Sequence, residues 1–263
     1  MTIKAILFDL DDTLLWDERS VQEAFKATCE EAAKHVSVDP EALEAAVRKE
    51  ARQLYESYET FPFTKRIGIN PFEGLWANFS NGNNEHFQKL ELLAPEYRTA
   101  SWTKGLQALG IEDKELGRKL GEQFPAERRA RPLIYEETFE VLDQLKHKYK
   151  LLLLTNGAVD LQSEKLAGVP ELAGYFEHII ISGEFGEGKP SLAIFEHALR
   201  LLNIEPAEGI MIGDKLTTDI LGSGGAGLSN IWINYHNVKR NDDIIPKHEV
   251  SRLRDILPII EGL

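Results

Sequence analysis

Two hydrophobic rhythms divide the chain. Across residues 16–130, apolar positions recur at three- and four-residue spacing, the mark of helices that bury one face. The stretches 21–36, 84–109 and 114–124 all read this way, and another helix opens at Asp39-Pro40, an N-cap followed by proline at the first helical position, and runs to about Tyr58. Residues 58–79 break the rhythm: Tyr58, Phe61, Phe63, Phe72, Trp76 and Phe79 are interrupted by Pro62, Gly68, Pro71 and Gly74, and read as loop.

From Arg131-Pro132 onward the pattern changes. Short apolar runs at 150–154, 178–181, 209–212 and 229–233 alternate with helical segments at 136–147, 161–167, 192–202, 217–226 and 250–260. Residues 234–249 are polar and irregular and read as a surface loop. Such alternation predicts a parallel sheet covered on both faces. The apolar run 3–8 is an orphan unless it joins this sheet. The expectation is an α/β fold: a parallel Rossmann-like sheet core from residues 1–15 and 131–263, with an inserted all-helical domain from 16–130. The connections should fall near residues 14–20 and 130–133.

Composition narrows the partners. With 30 basic against 43 acidic residues the net charge is −13, which argues against a nucleic-acid backbone or an anionic membrane as the partner. A small anionic substrate stays open, because a bound metal and a few local donors reverse the field in a cleft. No apolar run approaches the roughly 20 residues of a membrane span. The N-terminus lacks the apolar core of a signal peptide and soon meets Asp9, so the expected location is the cytoplasm. The single cysteine, Cys29, can form no internal disulfide and reads as a packed helical thiol.

The chemistry collects where strands end. The first strand stops at Asp9, and Asp11 follows two positions on, on the same face if the strand continued. Two acids placed together repel unless a cation sits between them. Leu154 runs into Thr155-Asn156-Gly157; the third strand is followed by Lys189-Pro190; Ile212 runs into Gly213-Asp214-Lys215, with Asp219 five residues after Asp214. Open parallel sheets bind ligands at the carboxyl ends of their strands, so these four segments should converge. Each has an ordinary explanation on its own. Thr155-Asn156-Gly157 makes a good strand-to-helix turn, and Lys189 is a solvated lysine. Asp219 suits the first turn of a helix, and Lys215 either orients acids or is simply exposed. The glycine-rich run 222–227 follows a helical pattern and reads as helix–sheet contact and a C-terminal cap rather than a phosphate loop. Taken together the inventory suits phosphoryl transfer. Carboxylates hold Mg²⁺ and one can attack phosphorus. A hydroxyl, backbone N–H groups and a lysine hold the phosphate oxygens. A second acid protonates the leaving oxygen and then activates water.

Asp9-Leu10-Asp11-Asp12-Thr13, Leu154-Thr155-Asn156, Lys189-Pro190 and Gly213-Asp214 with Asp219 resemble the four motifs of the haloacid dehalogenase (HAD) superfamily, in that family's order. The resemblance covers residues 1–15 and about 131–240, and the helical block sits where the family's C1-type helical cap sits. It implies a HAD-like core, Asp9 as nucleophile and Asp11 as general acid and base. It implies Thr155, Asn156 and Lys189 as phosphate holders, and Mg²⁺ bound by Asp9, the backbone carbonyl of Asp11, and Asp214. Asp219 and Lys215 would stand behind these ligands. Ser191 departs from the family pattern, where an Asp often follows Lys-Pro, but it leaves the lysine in place. The superfamily's dehalogenases attack carbon without a metal and lack the second acid. Asp11 is present here, so the resemblance implies a Mg²⁺-dependent phosphatase of small phosphorylated metabolites acting through an aspartyl-phosphate. The alternatives are a phosphomutase on a sugar phosphate, a metal-independent 2-haloacid dehalogenase, and a non-catalytic phosphate-dependent sensor. The cap is expected to close over the site and select the leaving group. Residues 58–79, with Lys65 and Arg66 as anion contacts, are its candidate substrate-facing part; in the competing reading the aromatics are cap core and the cations are solvated.

Overall fold

A computed structural model describes residues 2–80, 84–239 and 243–263. Six parallel strands form one sheet: β1 (Ala5–Phe8), β2 (Lys150–Thr155), β3 (His178–Ile181), β4 (Gly209–Gly213), β5 (Ser229–Ile233) and β6 (His248–Val250). Their order is β3-β2-β1-β4-β5-β6. This is the doubly wound arrangement, with the strand order reversing between β1 and β4. The central strand β1 has all four side chains buried, as a strand covered on both faces must. Phe8 pairs with Leu153 on one side and Ile212 on the other. The chain ends of β1, β2 and β4 therefore emerge together.

The chain separates into two compact units. The sheet unit comprises Met1–Asp17, Ile134–Gly157 and Val169–Leu263. On one face of its sheet, Leu7, Leu152, Leu154 and Met211 pack against Ile194, Phe195 and Ala198 of the helix Leu192–Leu202. In the glycine-rich run, Gly222 lies against Phe195 and Pro190. Two elements differ from the pattern read along the sequence. β6 lies inside the stretch read as loop and as the start of the last helix, which begins only at Ile256. An edge strand of three half-exposed residues needs no apolar run, so periodicity cannot reveal it. The stretch read as helix 217–226 opens instead with a widened π-helical turn, Leu216–Ile220, before the α-helix Leu221–Gly225.

The helical unit comprises Glu18–Leu133 and Ala158–Gly168. Its core is built around Phe25, Trp102 and Phe124, whose ring centroids lie 4.5–5.9 Å apart. Cys29 is buried in it, and burial pushes its thiol up to about 12. Asp39 caps the helix Pro40–Ser57 as its sequence indicates, accepting a hydrogen bond from the Ala42 N–H at 3.0 Å. Residues 58–79 are not simple loop. They contain two short helices, Phe61–Ile67 and Pro71–Gly74, each with proline in its first turn. Helices this short complete too few turns to show a period. Phe63, Trp76 and Phe79 are core residues of this unit, while Lys65 and Arg66 are exposed.

The helical unit extends beyond residues 16–130, because the helix Val159–Ala167 between β2 and β3 belongs to it. Ala158 and Leu161 join its core cluster. Lys165 forms an ion pair with Glu73 at 3.1 Å, with the two side chains only 4% and 5% exposed. Glu73 also accepts the Asn70 N–H at 2.9 Å, closing the capping box of Pro71–Gly74. Removing one member of a buried pair strands the other charge, at a cost of about 3–5 kcal/mol, whereas replacing both with apolar or neutral groups is far milder. Lys165→Met should therefore lower stability severely, and Lys165→Met with Glu73→Gln should recover much of the loss. Chemical denaturation followed in each unit checks this; equal losses in the single and double variants would show that the pair is not coupled.

Candidate active site

β1 ends at Phe8, and Asp9 continues its ladder, its N–H donating to the Ile212 carbonyl at 2.9 Å. The chain then turns tightly. Asp12 takes a left-handed conformation (φ 57°), which Asp tolerates better than most residues. Its N–H donates to the Leu15 carbonyl at 2.7 Å, and the Leu14 and Leu15 N–H groups return to Leu10. Asp11 lies half-buried in this turn, its backbone bridged to Leu15. Thr155 is the last residue of β2, two beyond the partner of Phe8, and Asp214 stands two beyond the partner of Phe8 in β4. The topology thus sets Thr155 and Asp214 on either side of Asp9.

Lys189 lies at the centre of the charged groups. Its side chain is 2% exposed, and its ammonium lies 2.5 Å from Asp9 Oδ1 and 2.7 Å from Asp219 Oδ1. The solvated-lysine reading of Lys189 is therefore overturned. Asp219 does lie in the first turn of a helix, as its position in the sequence suggests, but it meets Lys189 there as well. It is fully buried in the π-helical turn, and its Oδ2 accepts the Lys215 N–H at 3.0 Å. A π turn widens the helix and is often met at functional sites; here it carries the carboxylate that meets Lys189. Gly213 explains itself in the same way, since a Cβ there would lie 2.3 Å from Asp219 Oδ2. Lys215, read as orienting acids through its side chain, instead has that side chain exposed, and only its backbone N–H holds Asp219.

Asp9, Asp214 and Asp219 each offer an oxygen within 4.8 Å of the others. Burial raises the Asp9 pKa above its ordinary 3.8, with Lys189 lowering it and Asp219 raising it further. Burial also lifts Asp214 well above 3.8, and the charges of Asp9, Asp219 and Asp12 add to the effect. Burial draws the Lys189 ammonium down, but Asp219 and then Asp9 outweigh it and hold it above the usual lysine range. Three carboxylates against one ammonium leave surplus negative charge. That surplus suits a hard divalent cation such as Mg²⁺, which takes one or two carboxylates and completes its shell with water and phosphate oxygens. Each of the three acids could offer an oxygen to such an ion, and Asp219 in addition holds the Lys215 N–H.

The Asn156 side chain engages the backbone of Lys189. Its Oδ1 accepts the Lys189 N–H at 2.8 Å and its Nδ2 donates to the Lys189 carbonyl at 3.0 Å.

Residues 3–227 match the family of haloacid dehalogenase-like hydrolases. The chain belongs to that family. The phosphoserine phosphatase of Thermus thermophilus is 33% identical over 254 residues, covering 97% of this chain and 98% of that protein. A glyceraldehyde 3-phosphate phosphatase of Methanopyrus kandleri is 27% identical over 272 residues, covering 99% and 98%. Among solved structures, the magnesium-bound HAD-hydrolase YfnB of Bacillus subtilis aligns over 99% of both chains with a TM-score of 0.66 at 21% identity, a likeness of fold.

Four supports of the site in this haloacid dehalogenase-like hydrolase carry no periodic signal in the sequence. The Thr13 hydroxyl donates to Asp9 Oδ2 at 3.4 Å. The Trp232 indole N–H donates to the Asp214 carbonyl at 2.6 Å. The Tyr235 hydroxyl donates to the Thr13 carbonyl at 3.2 Å, and burial, then Glu137, Asp214 and Asp12, keeps that phenol protonated. Ser182 Oγ accepts the Gly157 N–H at 2.8 Å. Thr13 stands inside the quoted motif and could have been singled out; the other three become neighbours only through the sheet order.

The raised pKa values fix a stability trend. An acid whose native pKa is raised keeps its proton in the folded chain after the unfolded chain has lost it, so stability falls as pH rises from the ordinary 3.8 through the native values of Asp9 and Asp214. Without metal, Asp214→Asn should raise the melting temperature at pH 8, and the gain should shrink towards pH 4. Mg²⁺ should stabilise the wild type at pH 8 far more than the variant. Calorimetry across pH, with EDTA or Mg²⁺, tests this; an Asp214→Asn variant less stable than wild type at pH 8 in EDTA would refute the crowding of like charge.

Proposed function

We propose that this chain hydrolyses small phosphomonoesters with Mg²⁺, by way of a phosphoryl group carried on Asp9. That it is a phosphatase of the haloacid dehalogenase-like family rests on its full-length phosphatase relatives and the family match. The observation that carries the finer reading is the buried Lys189 ammonium set between Asp9 and Asp219, with Asp214 beside them at the strand-order reversal.

The proposed steps follow the chemistry of these groups. An oxygen of Asp9 attacks phosphorus, the P–O bond to the leaving group breaks, and Asp11 gives its proton to the departing oxygen. Asp11, now ionised, takes a proton from water, and the water oxygen attacks phosphorus. The bond from phosphorus to Asp9 then breaks, which restores the carboxylate and frees inorganic phosphate. Lys189 opposes the rise that burial gives the Asp9 pKa, and lies next to the oxygens that gain charge. Thr155, at the end of β2, is the proposed hydroxyl donor to the phosphate. Asp9 and Asp214 would hold Mg²⁺, with the Asp11 carbonyl as a further ligand. When bound, the ion supplies positive charge to the non-bridging phosphate oxygens. The substrate class is a small phosphorylated metabolite, in keeping with the relatives' substrates, phosphoserine and glyceraldehyde 3-phosphate.

An aryl phosphate should be cleaved in Mg²⁺ and left intact in EDTA. Asp9→Asn should abolish both turnover and the trapped phosphoenzyme. Asp11→Asn should cost about 10²–10⁴-fold on an alkyl phosphate and less on the aryl ester, whose leaving oxygen needs less protonation. Rates on both substrates, with mass spectrometry of the trapped intermediate, check these outcomes. Metal-independent halide release from a 2-haloacid with no phosphatase activity would overturn the proposal, as would phosphate trapped on a residue other than Asp9.

A further inference from the structure

Lys189 must hold its ammonium within hydrogen-bond reach of two carboxylates, yet it sits on a connection between β3 and the helix Leu192–Leu202, not on a strand or helix. Something must fix its backbone. The Asn156 carboxamide is the group that meets it, accepting from the Lys189 N–H at 2.8 Å and donating to the Lys189 carbonyl at 3.0 Å. A primary amide is suited to this task, because its acceptor and donor lie side by side and match the two polar groups of one residue. Asn156 is itself held. Its neighbour Gly157 accepts from the Gly183 N–H at 3.0 Å and donates to Ser182 Oγ at 2.8 Å. The turn after β2 and the connection after β3 are thus knitted together at both ends.

The fit requires the absence of a side chain at Gly188. A Cβ there would lie 2.8 Å from Asn156 Oδ1, 2.9 Å from its Cγ and 3.0 Å from its Nδ2. Gly188 and Asn156 therefore form one device, the glycine leaving the space that the amide fills.

We propose that Asn156 is a positioning residue that acts through Lys189, and that Gly188 is needed for it to do so. This departs from a role for Asn156 as a direct phosphate ligand, and its kinetic test rests on the phosphatase reading above. Misplacing a charged group by about 1 Å costs on the order of 10²-fold in rate. Asn156→Ala frees the Lys189 backbone. Gly188→Ala keeps the carboxamide but pushes it away.

The test is a set of double-mutant cycles on aryl phosphate turnover in Mg²⁺, with circular dichroism and melting temperature confirming that each variant is folded. Asn156→Ala and Gly188→Ala should each lower kcat on the order of 10²-fold. The double variant should be no worse than either alone, since both break the same contact. On a Lys189→Ala background, Asn156→Ala should add no further loss. A merely structural role would change the folded fraction, not kcat per folded molecule. Multiplying losses in either cycle, or a Gly188→Ala variant with wild-type kcat, would overturn the inference. If the wild type has no turnover, the phosphatase reading fails first. A crystal structure of Asn156→Ala then decides the positioning claim without turnover, because Lys189 Nζ still 2.5 Å from Asp9 Oδ1, as in the wild type, would overturn it.

Discussion

A buried ammonium ringed by carboxylates is the constraint on which the sheet unit depends. Taking Lys189 out of water is costly unless its charge is matched at close range. Asp9 and Asp219 match it at 2.5 and 2.7 Å. Those two acids come from opposite ends of the chain, so the contact can form only when β1 and β4 lie side by side. Each feature around it serves that contact. Gly213 makes room for the Asp219 carboxylate, the π-helical turn carries it, and the Lys215 N–H holds its second oxygen. The Asn156 amide holds the lysine backbone from the other side. The convergence of strand ends that doubly wound sheets provide becomes a chemical site because this one cation must be satisfied.

Much of this is legible in the chain before it folds, and the reason is local. Apolar runs ending at Asp9, Thr155 and Asp214 show where strands stop, because a strand covered on both faces must be continuously apolar. The helix starts at Asp39-Pro40 and the strand His178–Ile181 are set by residues within a few positions of one another. What escapes is whatever depends on a distant partner. Lys189 is marked for the site by its motif, but that it is buried between two carboxylates appears only when β3 and β1 are placed. Lys215 reads as a candidate charge, yet only its peptide N–H matters. The position of Asn156 in the motif shows that it faces the site, not that its side chain will take the Lys189 backbone. Trp232 and Tyr235 carry no chemistry that the sequence would flag, although they hold the backbones of Asp214 and Thr13. Short elements escape for a different reason: neither Pro71–Gly74 nor His248–Val250 is long enough to show a period.

The protein buries a second lysine, and the comparison separates structural charge from chemical charge. Lys165 meets Glu73 at 3.1 Å, and Glu73 spends its other oxygen on a helix cap. The two side chains are almost wholly buried, and the pair ties the helix Val159–Ala167 into the helical unit. Lys189 faces two carboxylates directly, and a third, Asp214, stands with them. That arrangement is poor as architecture. Burial first, and then the crowding of like charge, lifts Asp9 and Asp214 above the ordinary carboxylate range, and a chain selected for stability alone would replace one acid with an amide. The imbalance is one that a further cation would relieve. A balanced buried pair holds a fold together, whereas an unbalanced cluster at the carboxyl ends of parallel strands suits a ligand, and the two lysines buried among the described residues, Lys165 and Lys189, are one of each.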